Sequence, residues 1–312
     1  MISRWRMVLA IACCVAQTGC FGGASAAADG AAPDVAAGKA TAPAQEPAAA
    51  ETPAEKAHPG IGFLWTERSR SVVGILKSEN DFVDVILGPG RMGVFDEVKP
   101  PARVACIARS LEKNDRRPFP GVKETIERLR NRKIPPQRVI IAYNPERQPG
   151  TPSAEMDDLV ASVRRAREMA DAYGAPLLVG PGLRDMQQRE ELYPELAKLC
   201  DIWLIQSQRL QLNLETRKPV APAAYREGVK RIVDALRRGN PKVKVFVQLV
   251  TTSERGAVPL TAEQLTAYIA VVGEIVDAVR VYGGSPELIE EVIARLRGPL
   301  PDAAGTGNSR PE

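Results

Sequence analysis

The sequence predicts an α/β fold of the (β/α)8-barrel type over residues 60–300, irregular or incomplete in its N-terminal half. Short runs rich in β-branched residues alternate there with longer amphipathic runs, as is typical of strands followed by helices. The stretch has room for eight such units, and a barrel usually needs about 250 residues. An open doubly wound sheet is the alternative. No Gly-rich dinucleotide-binding loop follows any predicted strand, so we favour the barrel.

The second half of this stretch contains five consecutive strand–helix units. The predicted strands are residues 138–143, 176–179, 201–205, 243–250 and 278–282. A helix is predicted after each of these strands. The first runs from Thr151-Pro152 to Gly174, the second lies around residues 192–199, and the third spans residues 225–236. The fourth follows the capping-box pattern Thr261–Gln264, and the fifth runs from Ser285-Pro286 to Leu296. Strands joined through helices in this way pair in parallel, with right-handed crossovers.

The first half is less regular. Residues 71–76, 82–87 and 104–108 are predicted strands, and residues 122–130 are a predicted helix. Residues 88–101 are rich in Gly and Pro and show no helical period. We therefore expect the barrel to be irregular or incomplete in this region.

Residues 1–20 have the layout of an export signal. Arg4 and Arg6 precede an apolar run of about ten residues, or roughly 15 Å of helix, which is half the thickness of the hydrocarbon core. The following Gln17-Thr18-Gly19-Cys20 resembles the lipobox of bacterial lipoproteins, which implies that Cys20 becomes an acylated N-terminus. Gln17 stands where an aliphatic residue is usual, so cleavage by an ordinary signal peptidase is the alternative.

The segments that flank the barrel region lack a core-forming pattern. Residues 21–59 consist largely of Ala, Pro, Gly, Glu and Thr without an apolar period, which predicts a disordered tether. Residues 301–312 are polar and are predicted to form a frayed tail. We therefore expect an exported protein that a lipid anchor holds at the membrane of the cell envelope, periplasmic or at the surface.

The residue inventory excludes several kinds of chemistry. His58, the only histidine, lies in the predicted tether, so a Ser-His-Asp triad, a Cys-His pair or a histidine-ligated zinc is not expected in the barrel. No clustered Asp pattern indicates a metal, and we expect no cofactor. Cys106 and Cys200 lie in apolar surroundings and are predicted to be buried free thiols, a disulfide being the alternative.

The charge balance bears on the partner. The formal net charge is +4, and it falls to +2 when the two arginines of the export signal are removed. A nucleic-acid-binding protein usually concentrates a larger basic excess on one face. We therefore expect no nucleic-acid partner.

In a barrel, functional groups collect at the carboxyl ends of the strands. The polar residues at those positions are Tyr143, Asn144, Glu146, Arg184, Asp185, Gln206, Gln208, Arg209, Gln248, Thr251, Thr252 and Tyr282. Amides and hydroxyls dominate this set, and such groups can hold the hydroxyls of a sugar or another polyol. Equally, strand-end polar residues can do no more than cap helices and solvate a rim.

Three functions fit these residues. The one we favour is binding of a glycan or similar polar ligand without turnover, with Tyr143, Asn144, Gln206, Gln208, Gln248 and Tyr282 as ligand-binding residues. The second is glycoside hydrolysis, which needs two carboxyl groups; Glu146 and Asp185 are the candidates, with Glu67 and Asp84 as alternatives, although Asp84 can also be a strand residue that faces out. The third is a structural or interaction module that binds a partner through an outer helical face.

Two stretches resemble uncharacterised secreted or lipid-anchored bacterial proteins with a TIM-barrel-like domain. One is Tyr143-Asn144-Pro145-Glu146 followed by Thr151-Pro152 and Glu155, and the other is Ile205-Gln206-Ser207-Gln208 followed by Tyr225, Asn240-Pro241 and Gln248-Leu249. The resemblance covers residues 138–283. It implies the barrel fold and no particular activity.

Overall fold

The structure, a computed structural model, describes residues 58–88, 90–112, 119–147, 150–213, 215–216, 218–251 and 259–298. All of them belong to the unit Glu55–Glu312. The predicted export signal with Cys20, nearly all of the predicted tether and the C-terminal tail lie outside the described residues, as does Thr252.

Parallel strands of the described chain close into a barrel in sequence order, and the last strand pairs with the first. The strands are β1 (Gly60–Leu64), β2 (Phe82–Val85), β3 (Arg103–Ala108), β4 (Val139–Tyr143), β5 (Leu177–Val179), β6 (Ile202–Gln206), β7 (Lys244–Val250) and β8 (Ala278–Tyr282). The closing register places Gly60 beside Ala278. The predicted barrel is thus confirmed, and the open sheet is wrong.

Helices surround this barrel on the outside. Those in the described residues are α1 (Arg70–Val73), α2 (Val94–Glu97), α3 (Val122–Asn131), α4 (Ser153–Asp157), α5 (Leu159–Tyr173), α6 (Leu183–Met186), α7 (Tyr193–Ala197), α8 (Gln208–Gln211), α9 (Pro222–Gly239), α10 (Ala262–Val272) and α11 (Pro286–Arg297). The irregularity expected in the N-terminal half takes the form of single-turn helices after β1 and β2, while the ring of strands is complete. Within the described residues, no helix has the length and apolar character that crossing a bilayer requires.

The strands are buried on both faces, so each contributes to two separate cores. The outer core lies between the strands and the helices. The inner core fills the barrel with Phe82, Ala105, Ile107, Ile140, Ala142, Leu178, Ile202, Leu204, Phe246 and Ala278. The rings of Phe82 and Phe246 stack inside the barrel with centroids 4.9 Å apart. Because of these packed side chains, the interior of the barrel is a core rather than a channel.

The first strand corrects the sequence analysis. Residues 71–76 were predicted to be a strand, but Arg70–Val73 is a helix that follows a capping box between Thr66 and Ser69. The strand that pairs with β2 is Gly60–Leu64, where none was predicted. Glycines weaken a strand pattern. At position 62 only glycine leaves room for the neighbouring side chain, because a Cβ there would lie 2.4 Å from the ring of Phe82.

The helix predicted to start at Thr151-Pro152 is divided into α4 and α5. Asp158 leaves the helical region (φ −117°, ψ 74°), and its side chain accepts a hydrogen bond from the Ala161 amide to start α5. Gly174 ends α5 in the left-handed region, as predicted. Thr151 does not cap α4, whose N-cap position is Pro152. Its hydroxyl instead donates to the Arg109 carbonyl (2.6 Å) and accepts from the Glu146 amide (2.8 Å), which ties together the loops that follow β3 and β4.

Other local predictions are confirmed. The Thr261–Gln264 capping box opens α10, and Ser285 caps α11 with Pro286 in its first turn. Cys106 and Cys200 are buried free thiols, and burial raises the pKa of each above its ordinary range.

Candidate functional site

A cavity of about 360 Å³ opens at the carboxyl ends of the strands, and we call it the barrel mouth. Its described lining consists of Leu64, Ile86, Ile107, Arg109, Phe119, Asn144, Glu146, Gln206, Gln208, Gln248, Val250, Arg280, Tyr282 and Gly283. Apolar side chains of the inner core form its floor, and polar side chains form its wall. This is the end of the barrel where groups from different strands can converge on one ligand.

Strand periodicity sets which side chains reach the barrel mouth. Side chains alternate between the two faces of a strand, so Ala142 and Asn144 point inward while Tyr143 points outward. Gln206 ends β6 and pairs in register with Gln248 of β7, so the two amides stand side by side on the inner face.

A row of amide side chains crosses the wall of the barrel mouth. Gln248 Nε2 donates to Gln208 Oε1 at 3.4 Å, and Gln208 Nε2 donates to Gln206 Oε1 at 3.4 Å. Gln206 Nε2 then donates to Glu146 Oε1 at 3.0 Å and to the Gly180 carbonyl at 2.8 Å. The two bonds between amides are long for hydrogen bonds, so these groups can still bond a ligand at better geometry. The row therefore offers alternating donors and acceptors.

An ion pair closes one end of this row. Arg109 Nη1 donates to Glu146 Oε2, and both side chains are less than a fifth exposed. The half-buried ring of Phe119 lies over the Arg109 guanidinium, 4.7 Å from its carbon. Since Gln206 bonds Oε1, both oxygens of Glu146 already accept hydrogen bonds. A general acid must carry a proton on one of these oxygens, and that proton would remove the negative charge that pairs with Arg109.

A second ion pair lies at the base of the barrel mouth. Arg280 of β8 contacts Asp84 of β2 through Nε, and each side chain is only 2% exposed. Burial raises the pKa of the Asp84 carboxyl to about 6, against the opposing effect of Arg280. The ring of Tyr282 lies 5.0 Å from the Arg280 guanidinium and is 40% exposed at the rim. Asp84 therefore faces into the barrel, which corrects the alternative of an outward-facing strand residue.

Six of the sequence-predicted site residues line the barrel mouth: Asn144, Glu146, Gln206, Gln208, Gln248 and Tyr282. Tyr143 does not. It is fully buried between β4 and the helices, where its hydroxyl donates to Glu155 Oε2 at 2.8 Å. Burial, together with the Glu155 carboxylate, raises the pKa of Tyr143 above its ordinary range. The expectation that Tyr143 shares the opening is wrong, because it occupies the outward phase of its strand.

Asp185 is also absent from the lining. Its Oδ1 lies 3.3 Å from Arg147 Nε, and a Cβ placed on Gly182 would lie 3.4 Å from Asp185 Oδ2 and 3.7 Å from Glu146 Cγ. Asp185 therefore lies near Glu146 but outside the described lining of the barrel mouth, and its carboxylate is paired with Arg147. Three other strand-end residues also lie outside the described lining: Arg184, Arg209 and Thr251.

Sequence reasoning missed the two arginines of the barrel mouth. Arg109 lies two residues after the inward-facing Ile107, and Arg280 lies two residues after the inward-facing Ala278. Counting the period-two alternation past the inward residues of each strand would have identified both. The alternation of side chains is visible in the sequence, but the sequence does not show which residues of β3 and β8 point into the barrel.

The chemistry available to the barrel mouth follows from this inventory. Glu146 is the only carboxylate in its described lining. No group of three or more His, Cys, Asp or Glu side chains within the described ranges is placed to hold a metal ion. What remains is a set of amide, guanidinium and phenol groups suited to hydrogen bonding.

No family model and no curated protein matches the chain. Among solved structures it is similar to triosephosphate isomerase from Bartonella henselae (10% identity, 76% of this chain and 98% of that chain, TM-score 0.44). It is also similar to the YdjI aldolase from Escherichia coli K12 (10%, 72% and 76%, 0.41) and to the spore cortex-lytic enzyme SleL from Bacillus megaterium QM B1551 (8%, 77% and 75%, 0.49). At these identities the likeness concerns the fold alone. The chain has a TIM-barrel fold with a polar cavity at its carboxyl end.

Proposed function

We propose that this protein is a cell-envelope lipoprotein whose barrel mouth binds a glycan or similar polar ligand without turnover. The observation that carries the proposal is the amide row that runs from Gln248 through Gln208 to Gln206 and ends on Glu146. A sugar hydroxyl donates and accepts at once, and a side-chain amide does the same. Tyr282 and Phe119 add aromatic faces at the rim, against which the apolar face of a sugar ring can pack.

The two other functions have less support. Hydrolysis needs a second carboxyl group across the cleft, and the described lining supplies Glu146 alone. An interaction surface on an outer helix needs exposed apolar side chains. In the described part of the chain, the large hydrophobic side chain that is exposed is Tyr282, which lies at the rim of the barrel mouth and not on a helix. Both features favour ligand binding within the barrel mouth.

We expect Gln208→Ala to weaken glycan binding about tenfold, because it interrupts the amide row at its centre and each lost hydrogen bond costs about 1 kcal/mol. A glycan array selects the ligand, and titration calorimetry measures the dissociation constant. Gln137→Ala, an exposed glutamine before β4 at the opposite end of the barrel, is the matched control and should bind as the wild type does.

The same ligand also tests for turnover. We expect mass spectrometry to find the glycan intact after prolonged incubation with the wild-type protein. Cleavage products that disappear in Glu146→Gln would contradict the proposal and establish a hydrolase. Absence of binding to every glycan on the array would reject the barrel mouth as a glycan site.

The lipid anchor has its own test. Replacing Cys20 with Ala removes the thiol that acylation requires, so the protein should move from the membrane fraction to the soluble fraction of the expressing cells. Immunoblotting of the separated fractions measures this. Cys200→Ala, at a buried barrel thiol, is the cysteine control and should stay with the membrane. A Cys20→Ala variant that remains membrane-bound would show that something other than acylation holds it there.

A further inference from the structure

Arg280 is a buried cation that faces the barrel mouth with unused donors. Its side chain is 2% exposed, yet it belongs to the cavity lining. Its Nε contacts Asp84, and Tyr282 covers one face of the guanidinium. Within the described residues, no hydrogen bond leaves its terminal nitrogens Nη1 and Nη2. Because the side chain lines the barrel mouth, a ligand group that supplies acceptors there can bond these donors.

The other arginine of the barrel mouth serves as a comparison. Arg109 Nη1 already donates to Glu146, so its charge is matched by a group on the same wall. Arg280 contacts Asp84 through Nε, and within the described residues no hydrogen bond engages the forked end of its guanidinium. That fork presents two parallel N–H donors, whose spacing matches the two oxygens of a carboxylate.

We infer that the ligand of the barrel mouth carries a carboxylate that pairs with Nη1 and Nη2 of Arg280, which makes it an acidic glycan of the uronate class. This inference rests on the proposed glycan-binding function and specifies the substrate class of that site. Tyr282, against the same guanidinium, is placed to contact the sugar ring that bears the carboxylate.

The charge balance favours a carboxylate over a phosphate. With every group ionised, the pairs Arg109–Glu146 and Arg280–Asp84 are each neutral. A single negative charge can share Arg280 with Asp84, whereas a phosphate brings up to two charges and finds no further unpaired cation in the described lining.

Asp84 should make this binding depend on pH. Among the described residues, Arg280 from β8 is the charged group that faces Asp84. The neighbours of Asp84 on β1 and β3 are Leu64 and Ala105. The Cys106 thiol points to the outer core. Burial raises the pKa of Asp84 to about 6. As pH falls through 6, Asp84 becomes neutral while a uronate stays charged, so Arg280 is freed for the ligand and the affinity increases. By linkage, bound uronate raises the pKa of Asp84 further.

The test compares trigalacturonate with its methyl ester, which has the same sugar chain but no carboxylate charge, by titration calorimetry with the purified full chain at pH 7.5. We expect the acid to bind at least about tenfold more tightly than the ester. Trigalactose carrying sulfate groups serves as a third probe, to distinguish a carboxylate from another oxyanion. Tighter binding of the sulfated probe would overturn the assignment to a uronate.

Two variants locate the effect. Arg280→Gln should bring the ratio of acid to ester affinity close to one. Because this variant leaves Asp84 without its partner, the double variant Asp84→Asn/Arg280→Gln removes both buried charges together and should show the same loss of preference in a folded protein. Asp84→Asn alone should bind the acid several-fold more tightly at pH 7.5 and should lose the increase in affinity between pH 7.5 and 5.

The outcomes separate this inference from the function on which it rests. Ester and acid binding equally well would overturn the uronate assignment and leave glycan binding intact. Preference for the acid that survives in the double variant would overturn the role of Arg280. Failure of the acid, the ester and every glycan on the array to bind would overturn both proposals.

Discussion

Asp81→Ala is expected to lower the free energy of unfolding by about 3–5 kcal/mol, because it removes a buried charged partner. Asp81 is fully buried and immediately precedes β2. Its Oδ1 accepts from the Ile61 amide (2.8 Å) and its Oδ2 from the Lys77 amide (2.8 Å), while Arg297 of α11 bonds both oxygens (2.6 and 3.0 Å). One carboxylate therefore ties the first strand to the last helix of the ring.

The measurement is urea unfolding followed by tryptophan fluorescence. Asp171→Ala is the control. It removes a carboxylate that is more than half exposed and paired with Arg167, so it should cost no more than about 1 kcal/mol. Equal losses from Asp81→Ala and Asp171→Ala would show that the buried network contributes no more than a surface pair.

The effect of Asp81 should depend on pH in a defined direction. Burial alone would raise its pKa, but Arg297 and the backbone amides of Ile61 and Ser78 outweigh burial, and the folded-state pKa lies below 3.8. A depressed pKa contributes stability that is present above the unfolded-state value of about 4 and is lost as pH falls through the folded-state value. The difference in stability between wild type and Asp81→Asn should therefore be largest at neutral pH and should shrink below pH 4.

Gly62→Ala is expected to destabilise the protein by about 3 kcal/mol, at the upper end of the usual cost of overpacking. The added Cβ would lie 2.4 Å from the ring of Phe82. That ring is fully buried and stacks on Phe246, so it cannot move aside without disturbing the inner core. Thermal and urea unfolding would measure the loss.

A matched glycine and a compensating change test this explanation. Gly74→Ala places a Cβ where no atom lies within 4 Å, on a residue with helical φ, so its effect should be small or slightly stabilising. Phe82→Leu should recover part of the loss in Gly62→Ala, because a smaller side chain removes the clash. A Gly62→Ala protein as stable as the wild type would show that the inner core can rearrange around β1.

Much of the fold follows from local sequence. The alternation of β-branched and amphipathic runs after residue 138 predicted β4 to β8 within one or two residues, because both periods and the capping signals of Thr261, Gly174 and Ser285 are local. β1 was missed because Gly60 and Gly62 suppress its strand signal. The reason for those glycines is a contact with Asn80 and Phe82 across the sheet, which no local window contains.

The sequence by itself determined that polar side chains follow the strands of a barrel, and six of them line one cavity. Only the tertiary structure decided that Tyr143 belongs to the outer core and that Arg109 and Arg280 belong to the barrel mouth. When both faces of a strand are apolar, composition does not distinguish the inner face from the outer one. Barrel closure and strand register set that phase, and they depend on contacts between residues far apart in the chain.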